Sequence, residues 1–306
     1  MKARFSFWLL VVILWVTPAA DGQAHEAALE AGMKAFERGA FQDAVVSWTS
    51  ALRGYERAGN RPGQLTTLIQ LSQAESALGR YGQAVRNLEA ALELADGLGD
   101  RFRLATVLAA LGNVHIVIGP PETAAAHLER ALALSRSLGA PALTATVLNN
   151  LGNLRATQGN HQDALTAYRE SIVLARDLGH RVLAARALSN AAAALRQSGQ
   201  PREAEALLDA ALAEIGRGSS SHEMAFALVN VGLAYRDLRA ALPDAADSLM
   251  LRAARAFTDA AAAADRIGDR RTTSYAWGYL GDSEVSTDGV DCRWSGDQDK
   301  NEKNSE

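Results

Sequence analysis

A single cysteine, Cys292, stands in 306 residues. No disulfide can form within the chain, and a cluster held by several thiolates is excluded; a metal site would have to come from the six histidines and the carboxylates. Aromatic residues make up 6% of the chain and prolines number 7. That is poor material for β-sheets, which favour aromatic side chains, and too little proline for a collagen-like or linker composition. A strong positive charge is missing as well. The formal net charge of −4 repels a phosphate backbone, so nucleic acid is not an expected partner. The chain also has no glycine-rich phosphate loop ending in Gly-Lys-Ser/Thr, no GxSxG nucleophile elbow and no HExxH metal pair.

What is present is alanine, about a fifth of all residues, within a hydrophobic content of 48%. Alanine has the highest intrinsic helix propensity, and this composition predicts a folded all-α protein. The first 24 residues differ from the rest. Lys2 and Arg4 precede an uncharged apolar run from Phe5 to Val16, and small residues follow up to Ala24. A charged start, a short apolar core and small residues at the end form a secretory signal peptide, too short to span a bilayer as a helix. The reading is export, periplasmic or extracellular, with contact to the membrane only if the leader stays uncleaved as an anchor. No second apolar run long enough to span a bilayer is expected after it.

Beyond the leader the chain repeats. Gly39, Gly79, Gly119, Gly159 and Gly199 are 40 residues apart, and so are Gly59, Gly99, Gly139 and Gly179. Ala44, Ala84, Ala124, Ala164 and Ala204 keep the same step, as do Ala51, Ala91, Ala131 and Ala211, with Ser171 filling the gap. A fixed period of this length marks a solenoid. Within one period Leu143, Val147, Leu148, Leu151 and Leu154 recur at helical spacing before Gly159 stops the segment. Ala164, Leu165, Tyr168, Ile172 and Ala175 then form a second stripe before Gly179. Each period therefore reads as helix, turn, helix, and neighbours must stack to bury both stripes. Gly112, Gly152 and Gly232 fall where a side chain would hold the paired helices apart.

First helices are predicted near 26–38, 62–78, 102–118, 142–158, 182–198 and 221–238. The sixth pair departs from register by a nine-residue insertion, which predicts a longer second helix at about 243–266 or an extra turn. Arg271 to Gly281 then opens a seventh repeat that stops after one helix, bearing Tyr275, Trp277 and Tyr279 without a partner. Residues 283–306 have no periodicity and little apolar content, and are expected to be a disordered polar tail. That leaves 25–282 as the solenoid, about six full repeats and a truncated seventh, with its uncapped last helix available for self-association.

Leu111-Gly112-Asn113, Leu151-Gly152-Asn153, the run Gly79 to Ala84 and the run Gly159 to Ala164 carry a resemblance to the tetratricopeptide repeats, in a variant of about 40 residues. The resemblance implies a right-handed α-solenoid of tandem helix-turn-helix units with a concave groove lined by the first helices. Asn149, Asn150 and Asn153 stand on such a helix and repeat in part as Asn113, Asn190 and Asn230, with Gln70 and Gln73 at equivalent places. Side-chain amides both donate and accept, which suits them to hold the backbone of an extended peptide. The same amides could instead join neighbouring repeats. Arg155, Arg186, Arg196 and Arg236 would add positive charge for an acidic segment or a carboxylate, the alternative being a solvated surface.

No catalytic constellation emerges. Cys292 lies in the polar tail, and the histidines His25, His115, His127, His161, His180 and His222 occupy different repeat positions, which reads as surface or edge placement. Gly216 to Ser221 reads as a linker between helix pairs. No cofactor or metal is expected, and the chain reads as a non-enzymatic scaffold for a protein or extended peptide. A second resemblance supplies an alternative. Phe36 to Ala44, with Val46, Trp48 and Leu52, and Ser274 to Gly281 resemble parts of bacterial proteins that join such repeats to a C-terminal CHAT domain of caspase-like fold. That resemblance implies the regulatory half of a truncated or frame-shifted cysteine protease, without its His-Cys dyad.

Overall fold

The computed structural model describes residues 18–216 and 220–281, and over these the chain is an all-α solenoid. The apolar core of the leader, Cys292 and the tail at 283–306 lie outside the described residues. Among the described residues are thirteen helices: α1 (Pro18–Glu37), α2 (Phe41–Arg57), α3 (Arg61–Ala77), α4 (Tyr81–Leu98), α5 (Arg101–Ile118), α6 (Pro121–Ser137), α7 (Pro141–Thr157), α8 (His161–Asp177), α9 (Arg181–Gln197), α10 (Pro201–Ile215), α11 (His222–Leu238), α12 (Ala246–Ile267) and α13 (Arg270–Gly281). Each odd-numbered helix up to α11 pairs with the next, and each pair packs on its neighbours. The first helix starts at Pro18, inside the segment assigned to the leader, so helix continues through its last residues.

Local chemistry sets the boundaries. Asn60, Asp100 and Ser221 each accept a hydrogen bond from a backbone N–H in the first turn of the helix that follows, the usual way of satisfying an orphan donor there. Proline opens α6, α7 and α10, where its missing N–H costs nothing. At the other end Gly99 takes φ +66°, and the N–H of Asp100 returns to the carbonyl of Ala95, closing α4 with a left-handed cap. Gly119 belongs to the same periodic series but is extended, at φ −111° and ψ 174°. Pro120 follows it, and proline disfavours the helical region in the residue before it.

The alanine rows are the crossing points. Ala44, Ala84, Ala124, Ala164, Ala204, Ala51, Ala91, Ala131 and Ala211 are all buried. Ser171, which breaks the second row, is buried too, and its hydroxyl donates to the carbonyl of Ala145 at 2.7 Å. Facing them, a Cβ on Gly112, Gly152 or Gly232 would lie within 2.5 Å of Leu128, Tyr168 or Phe257 respectively. Each glycine therefore makes room for one large side chain of the second helix, and the large residue fixes how the pair crosses. Apolar stripes from successive pairs form three buried clusters that follow one another along the array.

The insertion in the sixth pair takes both predicted forms. Two 3-10 turns at 239–241 and 243–245 precede a 22-residue α12. Contrary to the expectation from sequence, a second segment is long and apolar enough by composition to cross a membrane, namely α5. It packs between α4, α6 and α7 as a central helix of the core. Among the described residues the seventh repeat contributes α13. Tyr279 packs on Phe257 at 5.7 Å between ring centroids, whereas Tyr275 and Trp277 are exposed.

The two ends of the array also touch. Arg271, on α13, donates from Nη1 to the carbonyl of Ala77 at the end of α3, at 3.0 Å, across 194 residues of sequence. His222, the first residue of α11, lies edge-on to Phe41, the first residue of α2, at 4.9 Å. Gly39 and Ala77 belong to turns within repeats, while His222 and Asp269 belong to junctions between repeats. One edge of the superhelix has thus come round to meet the opposite edge.

Candidate functional site

The first helices α3, α5, α7, α9 and α11 each turn one face away from their paired helix. Three rows run along it at helical spacing: Thr66, Thr106, Thr146, Arg186, Phe226; then Gln70, Ala110, Asn150, Asn190, Asn230; then Gln73, Asn113, Asn153, Ala193, Leu233. The resemblance to tetratricopeptide repeats implies that these rows form the inner face.

The amides on it divide into two groups. Asn190 donates from Nδ2 to Oδ1 of both Asn149 and Asn153 at 3.0 Å, tying α9 to α7. The Tyr168 hydroxyl donates to the same Asn153 oxygen at 2.8 Å, and burial pushes that hydroxyl's pKa upward. Asn149 is only 2% exposed. Asn149, Asn153 and Asn190 are therefore brought together as a bond between repeats, one of the two roles their sequence left open. Asn113, Asn150 and Asn230 are not part of this network. Asn113 and Gln73 are exposed, and the Oε1 atom of Gln70 is buried without accepting a hydrogen bond.

The arginines divide likewise. Arg155 pairs with Glu129 of α6 at 3.5 Å and bonds Gln158, so it faces the second helix of the preceding repeat. Arg186 and Arg196 are in no ion pair among the described residues, and Arg236 lies over the ring of Tyr279 at 5.4 Å. A cavity of about 180 Å³ opens beside Asn190, lined by Ala156, Thr157, Ala193 and Gln197. A larger one, about 280 Å³, lies between the second helices α8 and α10 over Ala191 and Leu195, away from the amide rows. The smaller adjoins the polar face. Among the described residues no group of three or more His, Cys, Asp or Glu side chains is placed to hold a metal ion.

One placement differs from the sequence reading: His25 is buried against Tyr55 at 4.4 Å, whereas His222 is half-buried at the edge where the two ends meet. No local sequence pattern links Phe41 with His222, Asp269 and Arg271, which the fold brings together.

Residues 65–97, 103–177 and 184–215 match models of the tetratricopeptide repeat. Among solved structures the chain resembles a Rap protein complexed with Competence and Sporulation Factor, at 13% identity over 85% of this chain and 74% of that one, with a TM-score of 0.61. It resembles NprR in complex with its cognate peptide NprX at 16% identity, over 86% and 76%, with a TM-score of 0.60. A signal transduction ATPase with a tetratricopeptide repeat sensor from Pyrococcus horikoshii follows at 17% identity, over 86% and 42%, with a TM-score of 0.57. At these identities the likeness is one of fold. No curated protein matches the chain in sequence. The matches concern the repeats, and the resemblance to CHAT-linked proteins gains no support from them.

Proposed function

We propose that this array of tetratricopeptide repeats is a non-enzymatic scaffold that binds an extended protein segment along its inner face. The observation that carries the reading is the pair of exposed amides, Gln73 and Asn113, on a face where Asn153 and Asn190 are bonded together. Amides at regular spacing on a rigid frame match the repeating donors and acceptors of an extended backbone. The guanidinium of Arg186, two turns from Ala193 on the same face, favours an acidic side chain or a terminal carboxylate. The structures of NprR with its cognate peptide and of Rap with its factor show partners bound to arrays of related fold, which supports the same use here.

A random-peptide display library panned on the full chain tests this. Selected peptides are expected to lose about tenfold or more in affinity for a Gln73→Ala, Asn113→Ala, Arg186→Ala variant, since each lost bond contributes on the order of 1 kcal/mol. All three side chains are exposed, so the thermal midpoint should not move. Equal affinity for both chains would reject the inner face as the site. We further propose that the scaffold acts outside the cytoplasm, on the support of the leader at 1–24. Mass spectrometry of the N-terminus in an exported fraction should find a chain beginning after Ala20 or Ala24; recovery only from the cytoplasm, with Met1 intact, counts against export.

A further inference from the structure

A solenoid is held together by contacts between neighbouring repeats, and nothing in that plan requires its first repeat to meet its last. Here they meet through a compact set of side chains. Arg271 bonds the carbonyl of Ala77 at 3.0 Å, and its guanidinium lies 5.8 Å from the centre of the Phe41 ring. His222 meets the same ring edge-on at 4.9 Å. The carboxylate of Asp269 covers Gly39 so closely that a Cβ there would lie 2.5 Å away. At the equivalent turns Gly79, Gly159 and Gly199 nothing comes within 4 Å, so the covering of Gly39 belongs to this contact and not to the repeat.

The groups on the C-terminal side are held in place for it. One oxygen of Asp269 accepts from the N–H of Thr272 at 3.1 Å, and the other lies 2.6 Å from Nδ1 of His222. Burial pushes the Asp269 carboxyl pKa up, but the bonds from His222 and Thr272 outweigh it and keep the group below its ordinary value. Arg271 also reaches the Tyr275 hydroxyl at 3.3 Å. Yet no helix pair packs broadly across the seam, unlike every interface between neighbouring repeats. The seam can therefore part while each of those interfaces stays intact. It also shares side chains with the inner face: Phe226 stacks on His222 at 5.9 Å, Tyr275 lies under Arg271 at 5.6 Å, and both rings are exposed.

We infer that Phe41, His222, Asp269 and Arg271 form a clasp that closes the superhelix head to tail and opens as a unit without unfolding any repeat, controlling entry to the inner face. The clasp stands on these contacts alone; only its role in admitting a partner rests on the binding reading above.

Spin labels at Glu37→Cys and Arg270→Cys, both exposed and flanking the seam, measure closure by dipolar spectroscopy in the full chain carrying Cys292→Ser, with no partner present. A short distance should dominate. Arg271→Glu removes the bond to Ala77 and the charge over Phe41, and should lower the ratio of closed to open chains about tenfold. Helicity and thermal midpoint should be unchanged. His222→Ala should shift the distribution in the same direction. A long distance in the parent chain, or the same short distance in both variants, would overturn the clasp. Loss of the short distance only together with lost helicity in both variants would also overturn it, because the seam would then be part of the fold. Failure of the peptide selection would leave these distances unaffected, so the two readings can fail separately.

Discussion

Replacing Trp48 with alanine is expected to unfold the first helix pair and leave the rest of the array standing. Trp48 is 1% exposed, its indole fills the space over Gly32, and its Nε1 donates to the carbonyl of Leu29 at 3.1 Å. Phe36 packs on it at 5.6 Å. Emptying such a site costs about 3–5 kcal/mol, and the carbonyl of Leu29 loses its donor as well. In a solenoid that loss acts first on the repeat that bears it, and a terminal repeat has a neighbour on one side only along the stack. Hydrogen exchange should show it: amides of α1 and α2 losing protection while those of α5 to α10 keep theirs. Uniform loss along the chain, or no loss anywhere, would contradict the expectation.

Gly152→Val should do the opposite, dividing the array at its middle. A helix interior ordinarily prefers almost any side chain to glycine, by up to about 1 kcal/mol, so propensity alone predicts a gain. Packing reverses the sign. The new Cβ would lie 2.4 Å from the Tyr168 ring, which is buried and whose hydroxyl is bound to Asn153, so the ring has no room to turn aside. Overpacking of this kind costs about 1–3 kcal/mol. The cost falls on the pair formed by α7 and α8, through which the two halves of the array are coupled. Urea unfolding followed by far-ultraviolet dichroism should broaden or split into two transitions. One sharp transition at the parent midpoint would show that the ring yields.

The contrast between these two substitutions also explains what sequence could and could not reveal. Period, helix boundaries and the crossing residues were legible because each repeat solves the same packing problem with the same small residues; Ala164 and Gly152 are small for reasons that recur every 40 residues. Ser171 was visible as an exception, and its bond to the Ala145 carbonyl supplies the reason. The inner face was legible only as a list of residue types. Asn149 and Asn150 are neighbours in sequence, yet only Asn149 is drawn into the network, because Asn190 of the next repeat reaches it. Arg155 and Arg196 are alike in sequence, yet Glu129 pairs with Arg155 alone of the two. The meeting of Phe41 with His222 was not legible at all. It depends on a small rotation per repeat accumulating over the whole stack, and no local pattern encodes such a sum.

That accumulated rotation has a consequence for how such a chain can change. An open solenoid can gain or lose a unit by duplication or deletion in its gene and keep working, since each unit answers only to its neighbours. Here the carbonyl of Ala77 meets Arg271 only because the intervening units bring the two edges round by the right angle. Removing one unit of 40 residues would leave every interface intact and yet carry α13 past its station. The meeting of the ends therefore makes copy number a heritable constraint on this array, where an open array would be free to vary.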